Sequence, residues 1–193
     1  MPAATVPKNA LSTGPGYLYL AALGTSLPAN TVVGSVFTDA WPGGWNLLGI
    51  TKQGHEFDYT ISTSTIEAAE YFDPLQIVTD SRTALLKCEL MQVHATNMKN
   101  ALNGGSLTTS GSGTTLLSTY TPPVPGAEVR TMIGWEATDN TERLIMERVF
   151  QTGSLAIQRQ KGAANATLPV EFTAELPASG FPFRYFTCGT VRG

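Results

Sequence analysis

The sequence predicts a mainly β (α+β) fold, namely an antiparallel β-sandwich or barrel with one flanking α-helix. Only 14% of the residues are charged, against roughly 25% in an average soluble domain. Threonine, which favours strands, is the commonest residue. Several segments alternate apolar with polar residues, most clearly residues 167–176. For a chain of 193 residues, we expect an arm at residues 1–14 and a single β-domain at residues 15–193.

The arm and the first strand are predicted from the start of the chain. Residues 1–14 are mostly small and polar and include two prolines, which is typical of an extended segment that becomes ordered when something binds it. Gly16–Leu23 alternates aromatic and aliphatic residues as a strand does. We expect residues 24–41 to form a loop with one short strand.

The most informative segment, Trp45–Glu70, is predicted to be a hairpin. Its first strand leads to a tight turn at Lys52–Gly54, where glycine can adopt the positive φ that a hairpin requires. Phe57, Tyr59 and Ile61 then alternate with polar residues, so one face of the second strand is apolar. An isolated two-stranded hairpin is only marginally stable in water. We therefore expect its apolar face to lie on a sheet, on a neighbouring subunit, or on both.

A strand and a short helix are predicted next, after a turn at residues 73–74. Arg82–Val93 is the clearest strand of this region. One face of it carries Ala84, Leu86, Cys88 and Leu90. Ala95–Asn103 fits a short helix that Gly104 ends.

Residues 104–126 are predicted to form a long loop. The segment is rich in Gly, Ser and Thr and then in Pro, a composition typical of a mobile connection. One edge strand is expected at Thr114–Tyr120. A loop of this length is unusual inside a compact domain, so we expect it to be either disordered in the free chain or held by neighbouring molecules.

The second half of the chain is predicted to return to the sheet. Glu128–Ala137 and Thr141–Phe150 flank a turn and form a hairpin, and Leu155–Arg159 is expected to be a short strand. In the strand at residues 167–176, the inward side chains are Leu168, Val170, Phe172, Ala174 and Leu176. Phe181–Cys188 is expected to close the sheet.

The sequence contains no motif that indicates catalysis, a cofactor or a metal. His55 and His94 have no cysteine or carboxylate at ligand spacing, and no nucleophile elbow, zincin motif or P-loop is present. Cys88 and Cys188 are expected to be reduced core residues. We therefore predict no catalytic, cofactor-binding or metal-binding residue.

Charge and hydropathy argue against two further classes of partner. The net charge is −3 and no Lys/Arg cluster exceeds two residues, so the signature of tight nucleic-acid binding is missing. No run approaches the roughly 20 apolar residues of a membrane span, and the first residues lack the pattern of a secretory signal. We expect a chain made in the cytoplasm that does not insert into a membrane.

Four segments of the sequence carry a family resemblance. They are the Gly16–Tyr17 strand followed by GTSLPAN, the pattern W-x-x-L-G-I-T-x-x-G at residues 45–54, the strand-to-helix unit RTALLKCELMQVHATNMKNALNGG, and the block ERLIMERVFQTGSLAIQRQKGAANATLPVEFTAEL. In order and spacing these segments, which span most of residues 15–177, resemble the major tail tube proteins of long-tailed (siphovirus-like) bacteriophages.

The resemblance implies a structural virion protein with a tail-tube-like fold and no enzymatic activity or cofactor. It implies self-assembly into stacked hexameric rings that form the tail tube, through which DNA passes transiently and non-specifically during ejection. The implied partners are further copies of the chain and the tail terminator, tape measure and distal tail proteins, and the implied location is the virion tail, after synthesis in the host cytoplasm. The expected subunit contacts are Trp45, Lys52, His55, Phe57, Tyr59, Tyr71 and Phe72.

Three other functions remain open on sequence grounds. The chain could be a carbohydrate-binding β-sandwich that uses Tyr17, Tyr19, Trp41, Trp45 and Trp135 as a stacking platform. It could be a hydrolase that uses the carboxylate pairs Glu56 with Asp58 or Glu171 with Glu175, although a solvated strand face explains these pairs more simply. It could also be the inner-tube subunit of a contractile tail or secretion machine.

Overall fold

One antiparallel sheet of eight strands dominates the part of the chain that the computed structural model describes, residues 15–157, 159 and 166–188. The elements are β1 (Gly16–Ala22), β2 (Val32–Val33), β3 (Val36–Phe37), β4 (Asn46–Leu47), β5 (Thr51–Ile66), β6 (Gln76–Leu90), α1 (Ala95–Ala101), β7 (Ser106–Ser110), β8 (Leu117–Thr121), β9 (Thr131–Ala137), β10 (Glu142–Gln151), β11 (Leu168–Ala174) and β12 (Arg184–Thr187). The large sheet has the order β4-β1-β9-β10-β11-β6-β5, and β12 also pairs with β10. The predicted class, mainly β with one flanking helix, is confirmed.

The main hydrophobic core lies on one face of this sheet. Strand alternation explains its composition, since Leu18 and Leu20 of β1 and Ile133 and Trp135 of β9 all belong to this cluster. In β10 the alternation changes phase at a bulge between Met146 and Val149, so both of these side chains are buried in the same core. Because of the bulge, β10 contributes buried side chains to the same core both before and after the irregularity.

A second, smaller core lies on the opposite face, beneath residues 24–45. Ala21, Met132 and Ile145 pack there against Trp45, with Trp41 and Leu27 alongside. This layer explains why Met132–Ala137 is buried on both faces. Residues 24–41 were predicted to hold one short strand, but they contain the two strands of a small hairpin, β2 and β3.

Arg143 joins the second layer to the sheet. Its side chain is 1% exposed, and it donates from Nη1 to Asp39 Oδ2 at 3.0 Å and from Nε to Glu136 Oε1 at 2.7 Å. Trp41 Nε1 donates to the other oxygen of Glu136 at 2.8 Å. A buried guanidinium is stable only when its charge and its donors are matched in this way, so the cluster fixes the position of residues 30–41.

The predicted hairpin within Trp45–Glu70 is wrong in its pairing. β4 pairs with β1, and β5 runs without a turn through Lys52–Gly54 and pairs with β6. Gly54 does have a positive φ of 83°, but it lies where the register between β5 and β6 shifts, between Thr51 and His55. The glycine signal therefore marks a bulge and not a reversal of the chain.

Residues 104–126 were predicted to form a loop with one edge strand. They form instead a two-stranded hairpin of β7 and β8, with a 3₁₀ turn at Gly113–Thr115 between the strands. The hydroxyl of Tyr120 donates to the carbonyl of Gly104 at 3.0 Å, which ties this hairpin to the end of α1. Helix α1 itself confirms the predicted short helix, and at seven residues it is too short to cross a membrane.

The remaining strand predictions are mostly confirmed. β9 and β10 form the expected hairpin, β11 buries Leu168, Val170 and Phe172, and β12 pairs with β10. Two details are wrong: residues 155–157 form no strand, and Leu176 is exposed because it lies beyond the end of β11. Residue 158 of the strand expected at 155–159 lies outside the described residues, and so does the whole of the arm predicted at residues 1–14.

Candidate functional site

β5 and β6 form a two-stranded ribbon that extends beyond the sheet. The pairing runs from Thr51 opposite Leu90 to Ile66 opposite Gln76. β11, the neighbour of β6 on its other side, pairs only with residues 85–90. We call residues 61–66 and 76–83 the distal ribbon and residues 67–75 the tip. At roughly 3.3 Å per residue, the distal ribbon projects about 25 Å from the sheet.

The side chains of the distal ribbon are exposed and carry little charge. All described residues from 76 to 83 are exposed, and only Asp80 and Arg82 among them are charged. Large apolar side chains nevertheless lie on this surface, with Ile77 at 65% exposure and Phe72 of the tip fully exposed. Exposed apolar surface of this extent indicates a site of association.

Both backbone edges of the distal ribbon are unpaired within the described chain. β5 is the last strand in the sheet order, and β6 has no second neighbour before residue 85. An unpaired edge can accept a further strand from another molecule. A bulge at Asp80, whose carboxylate accepts a hydrogen bond from Ser64 at 2.8 Å, interrupts the edge of β6.

The rest of the ribbon, residues 51–60 and 84–90, which we call its root, is anchored to the body of the protein. The ring of Phe183 contacts those of Phe57 and Tyr59, at centroid distances of 5.0 and 5.2 Å. Lys87 lies 3.8 Å from Glu56 and 3.6 Å from Asp58. The ribbon thus leaves the sheet in a defined direction, as a surface for specific contacts requires.

The residues predicted as subunit contacts occupy three environments. Trp45 is 8% exposed in the second core, where its Nε1 donates to the carbonyl of Ser26, so little of it is left for a partner. The root of the ribbon holds Lys52, which pairs with Glu89 at 3.3 Å, together with His55, Phe57 and Tyr59. Tyr71 and Phe72 lie in the tip and are exposed, Phe72 completely.

The sequence prediction omitted Ile66, Leu75, Ile77 and Val78, which are exposed on the distal ribbon and the tip. Their signal was the absence of charged residues from 59–66, since an exposed edge strand often carries charged side chains. Residues 76–83 include Asp80 and Arg82 and give no such signal. The pairing of β5 with β6 was needed to bring these residues together.

A cleft of about 430 Å³ lies at the root of the ribbon, between His55, Cys88 and Glu171. Burial lowers the pKa of His55, whose ring lies against Trp135 at a centroid distance of 4.6 Å. Burial also raises the pKa of Cys88 to about 12, so this free thiol stays protonated and is a poor nucleophile. Within the described residues, no group of three His, Cys, Asp or Glu is placed to hold a metal ion.

An antiparallel sheet with a projecting, unpaired and sparsely charged ribbon defines a protein suited to assembly. Comparison with family models gives the same class: the model described as "Phage tail tube protein" matches residues 3–181 of the 193-residue chain. The chain belongs to the phage tail tube protein family and is a structural component of the virion tail. The comparison with curated proteins found no match.

Proposed function

We propose that this chain is the repeating subunit of a tail tube, in which hexameric rings stack around a channel that DNA crosses during ejection. The projecting ribbon is the observation that carries this proposal. A two-stranded ribbon with apolar side chains is marginal in water, and neighbouring copies would cover its faces and pair its edges. Tyr59, Tyr71 and Phe72 are the contact residues that we retain from the sequence prediction.

Net charge supports the passage of DNA. Each chain carries a formal charge of −3, so a ring of six carries −18. A bore with a negative surface repels phosphate, and a neutral bore does not attract it, so in either case DNA slides instead of binding. We propose that the tail terminator, tape measure and distal tail proteins contact the ends of the tube, and that the subunit itself has no enzymatic activity.

The carbohydrate-binding alternative finds less support, because most of its aromatic platform is occupied. Trp45 and Trp135 are buried. Tyr19 stacks on Trp41 at 4.5 Å with an interplanar angle of 20°, so these two rings cover each other. Of the five aromatic residues, this leaves Tyr17, which is 49% exposed, and a single ring does not make a platform.

An inner tube of a contractile tail shares the proposed architecture, and a co-purifying sheath protein would identify it.

Assembly of the purified full-length chain tests the proposal. Negative-stain microscopy and sedimentation, at rising protein concentration and with or without a tail-tip complex as seed, should show rings and tubes with a central channel. Ile77→Ser on the distal ribbon should raise the concentration needed for assembly about tenfold or more. Leu176→Ser is the matched control, since Leu176 is 75% exposed and Ile77 is 65% exposed.

The subunit variants must be folded for this comparison, so circular dichroism and melting temperature are measured on each monomer. A chain that stays monomeric at every concentration, seeded or not, contradicts the proposed function. Equal assembly of Ile77→Ser and Leu176→Ser would show that the distal ribbon is not the contact surface.

A further inference from the structure

We infer that Asn103 and Gly104 form a self-modification site, which the folded chain keeps unreactive and which reacts when the end of α1 opens. The two residues lie between α1 and β7 and are the sole asparagine–glycine pair in the sequence. An asparagine is converted to aspartate most readily before glycine, because glycine has no Cβ to hinder attack by its own backbone nitrogen. This inference goes beyond the proposed function and does not depend on it.

The reaction uses water as its co-reactant. The backbone nitrogen of Gly104 attacks Cγ of Asn103, so a C–N bond forms while the bond from Cγ to Nδ2 breaks. The departing Nδ2 takes the proton of the Gly104 amide and leaves as ammonia, and a succinimide ring remains. One water molecule then opens this ring, which gives aspartate or, when the other carbonyl is attacked, isoaspartate.

In the folded chain, two hydrogen bonds hold the side chain of Asn103 on β10. Its Nδ2 donates to the carbonyl of Gln151 at 2.8 Å, and the amide of Gln151 donates to its Oδ1 at 2.8 Å. Gln151 is the last residue of β10 and is 6% exposed. Ring closure turns the Asn103 side chain and detaches Nδ2, so it breaks both hydrogen bonds and leaves a buried amide and carbonyl unpaired.

The attacking nitrogen is held by the same local structure. The amide of Gly104, a buried residue, donates to the carbonyl of Lys99 at 2.9 Å. Solvent removes the proton of such an amide only after the turn has opened. Two further hydrogen bonds close the turn, from the amide of Val129 to the Asn103 carbonyl at 2.8 Å and from the Tyr120 hydroxyl to the Gly104 carbonyl at 3.0 Å.

The fold also requires both residues of the reactive pair. Gly104 has a φ of 112°, and a Cβ built on it would lie 2.9 Å from Cγ2 of Val129. Asn103 has a φ of 54°, a left-handed conformation that asparagine tolerates better than most residues. A change at either position would disturb the end of α1. Protection from the reaction therefore comes from the conformation of the turn.

The modified chain cannot restore the contact with β10. A carboxylate at residue 103 has no hydrogen to donate, so the carbonyl of Gln151 would lose its partner and face a negative charge. An isoaspartate would also add one carbon to the main chain. A chain that is modified while it is open therefore refolds with a weaker junction between α1 and β10.

Peptide mass spectrometry on the full-length chain tests the inference. The chain is incubated at mildly alkaline pH, either folded and below its assembly concentration or unfolded in guanidinium chloride, and the conversion of each asparagine is followed. A peptide of residues 99–108 in both buffers corrects for the denaturant. In the unfolded chain, Asn103 should convert before every other asparagine. In the folded chain, its conversion should be about tenfold slower or more.

Two results of this experiment would overturn the inference. One is an equal rate of Asn103 conversion in the folded and unfolded chain, after correction with the peptide. The other is that a different asparagine converts first in the unfolded chain.

A variant that loosens this turn ties the protection to the local structure. Tyr120→Phe removes the hydroxyl that binds the Gly104 carbonyl. It should speed the conversion of Asn103 in the folded chain about two- to tenfold. Tyr17→Phe is the matched control, since Tyr17 is 49% exposed and lies in β1. Circular dichroism checks that both variants are folded, and equal rates in the two would overturn the inference.

The effect of the product is measured separately. Asn103→Asp should lower the equilibrium constant for folding about tenfold, as measured by urea denaturation below the assembly concentration. Asn46→Asp is the matched control, because Nδ2 of Asn46 also donates to a carbonyl, that of the exposed Gly44 at 3.2 Å. Equal stability of the two variants would overturn the weakened junction. None of these outcomes depends on whether the chain forms tubes.

Discussion

At the scale of single residues, Gly134 shows how one missing side chain shapes the second core. It lies in β9 directly beneath Trp41, and a Cβ atom built on Gly134 would overlap the ring of Trp41 and come within 3.1 Å of Trp45. Glycine is needed here because of the close approach of the ring, since Gly134 is not among the glycines with positive φ. The stacking of Tyr19 on Trp41 depends on this space.

Replacing Gly134 with alanine should therefore destabilise the subunit. We expect Gly134→Ala to lower the free energy of unfolding by about 1–3 kcal/mol, because the indole rings must move to admit a methyl group. Urea denaturation followed by tryptophan fluorescence, below the concentration of assembly, measures this change. Gly43→Ala is the matched control, since no atom lies within 4 Å of the place that its new methyl group would take. Equal stability of the two variants would contradict this packing.

The sequence alone could not identify the partners of these residues. Arg143 follows the turn of a correctly predicted hairpin, but its contacts come from Asp39, 104 positions away, and from Glu136 on the neighbouring strand. Local alternation predicts that a strand exists. It does not show that a charged side chain in that strand will be buried beneath a second layer.

At the scale of elements, the limit of prediction is clearest in the ribbon. The strand at residues 82–93 was predicted because one of its faces is continuously apolar. β5 is rich in Thr and Ser, and its distal part is exposed on both faces, so the pattern did not select a partner strand. Gly54 then suggested a turn where the structure has a bulge.

Hydrogen exchange should resolve the two halves of the ribbon. In the free subunit, we expect fast exchange for the outward-facing amides of residues 76–83, because no described strand pairs with that edge. Residues 85–90 lie between two strands and should be protected throughout. Mass spectrometry on subunits and on tubes should show residues 76–83 gaining about 100-fold protection on assembly. Identical exchange in both states would mean that assembly leaves this edge uncovered.

At the scale of the whole molecule, three titrating groups favour the folded state at neutral pH. Burial lowers the pKa of His55. Hydrogen bonds from Arg148 and Arg130 lower the pKa of Glu175. Burial acts to raise the pKa of Asp39, but hydrogen bonds from Arg143 and from backbone amides outweigh it, and the net shift is downward.

The stability of the subunit should consequently fall in two steps as the pH is lowered. A group with a lowered pKa in the folded state stabilises the fold above its unfolded pKa, and that contribution is lost as the pH falls towards the folded value. The first step should begin near 6.5, the unfolded pKa of His55, and the second near 4.5 and 3.8, those of Glu175 and Asp39.

Urea denaturation from pH 3 to pH 8, on subunits kept below the assembly concentration, measures both steps. His55→Phe should remove the first step, and Glu175→Gln should reduce the slope of the second. Asp73→Asn, on the exposed tip, provides the control and should reproduce the parent profile. A profile that is flat between pH 7 and pH 4 would contradict the role given to these groups.

The bulge at Asp80 affects how readily another strand can pair with β6 in the free chain. If a strand of a misfolded chain paired with β6, its backbone hydrogen bonds would be interrupted at the bulge. It would also have to accommodate the carboxylate of Asp80, which already accepts a hydrogen bond from Ser64. The bulge should therefore slow the pairing of a regular strand with β6, whereas a strand whose own shape matches the bulge can pair there. The same irregularity would hinder amyloid-like growth along the edge of β6.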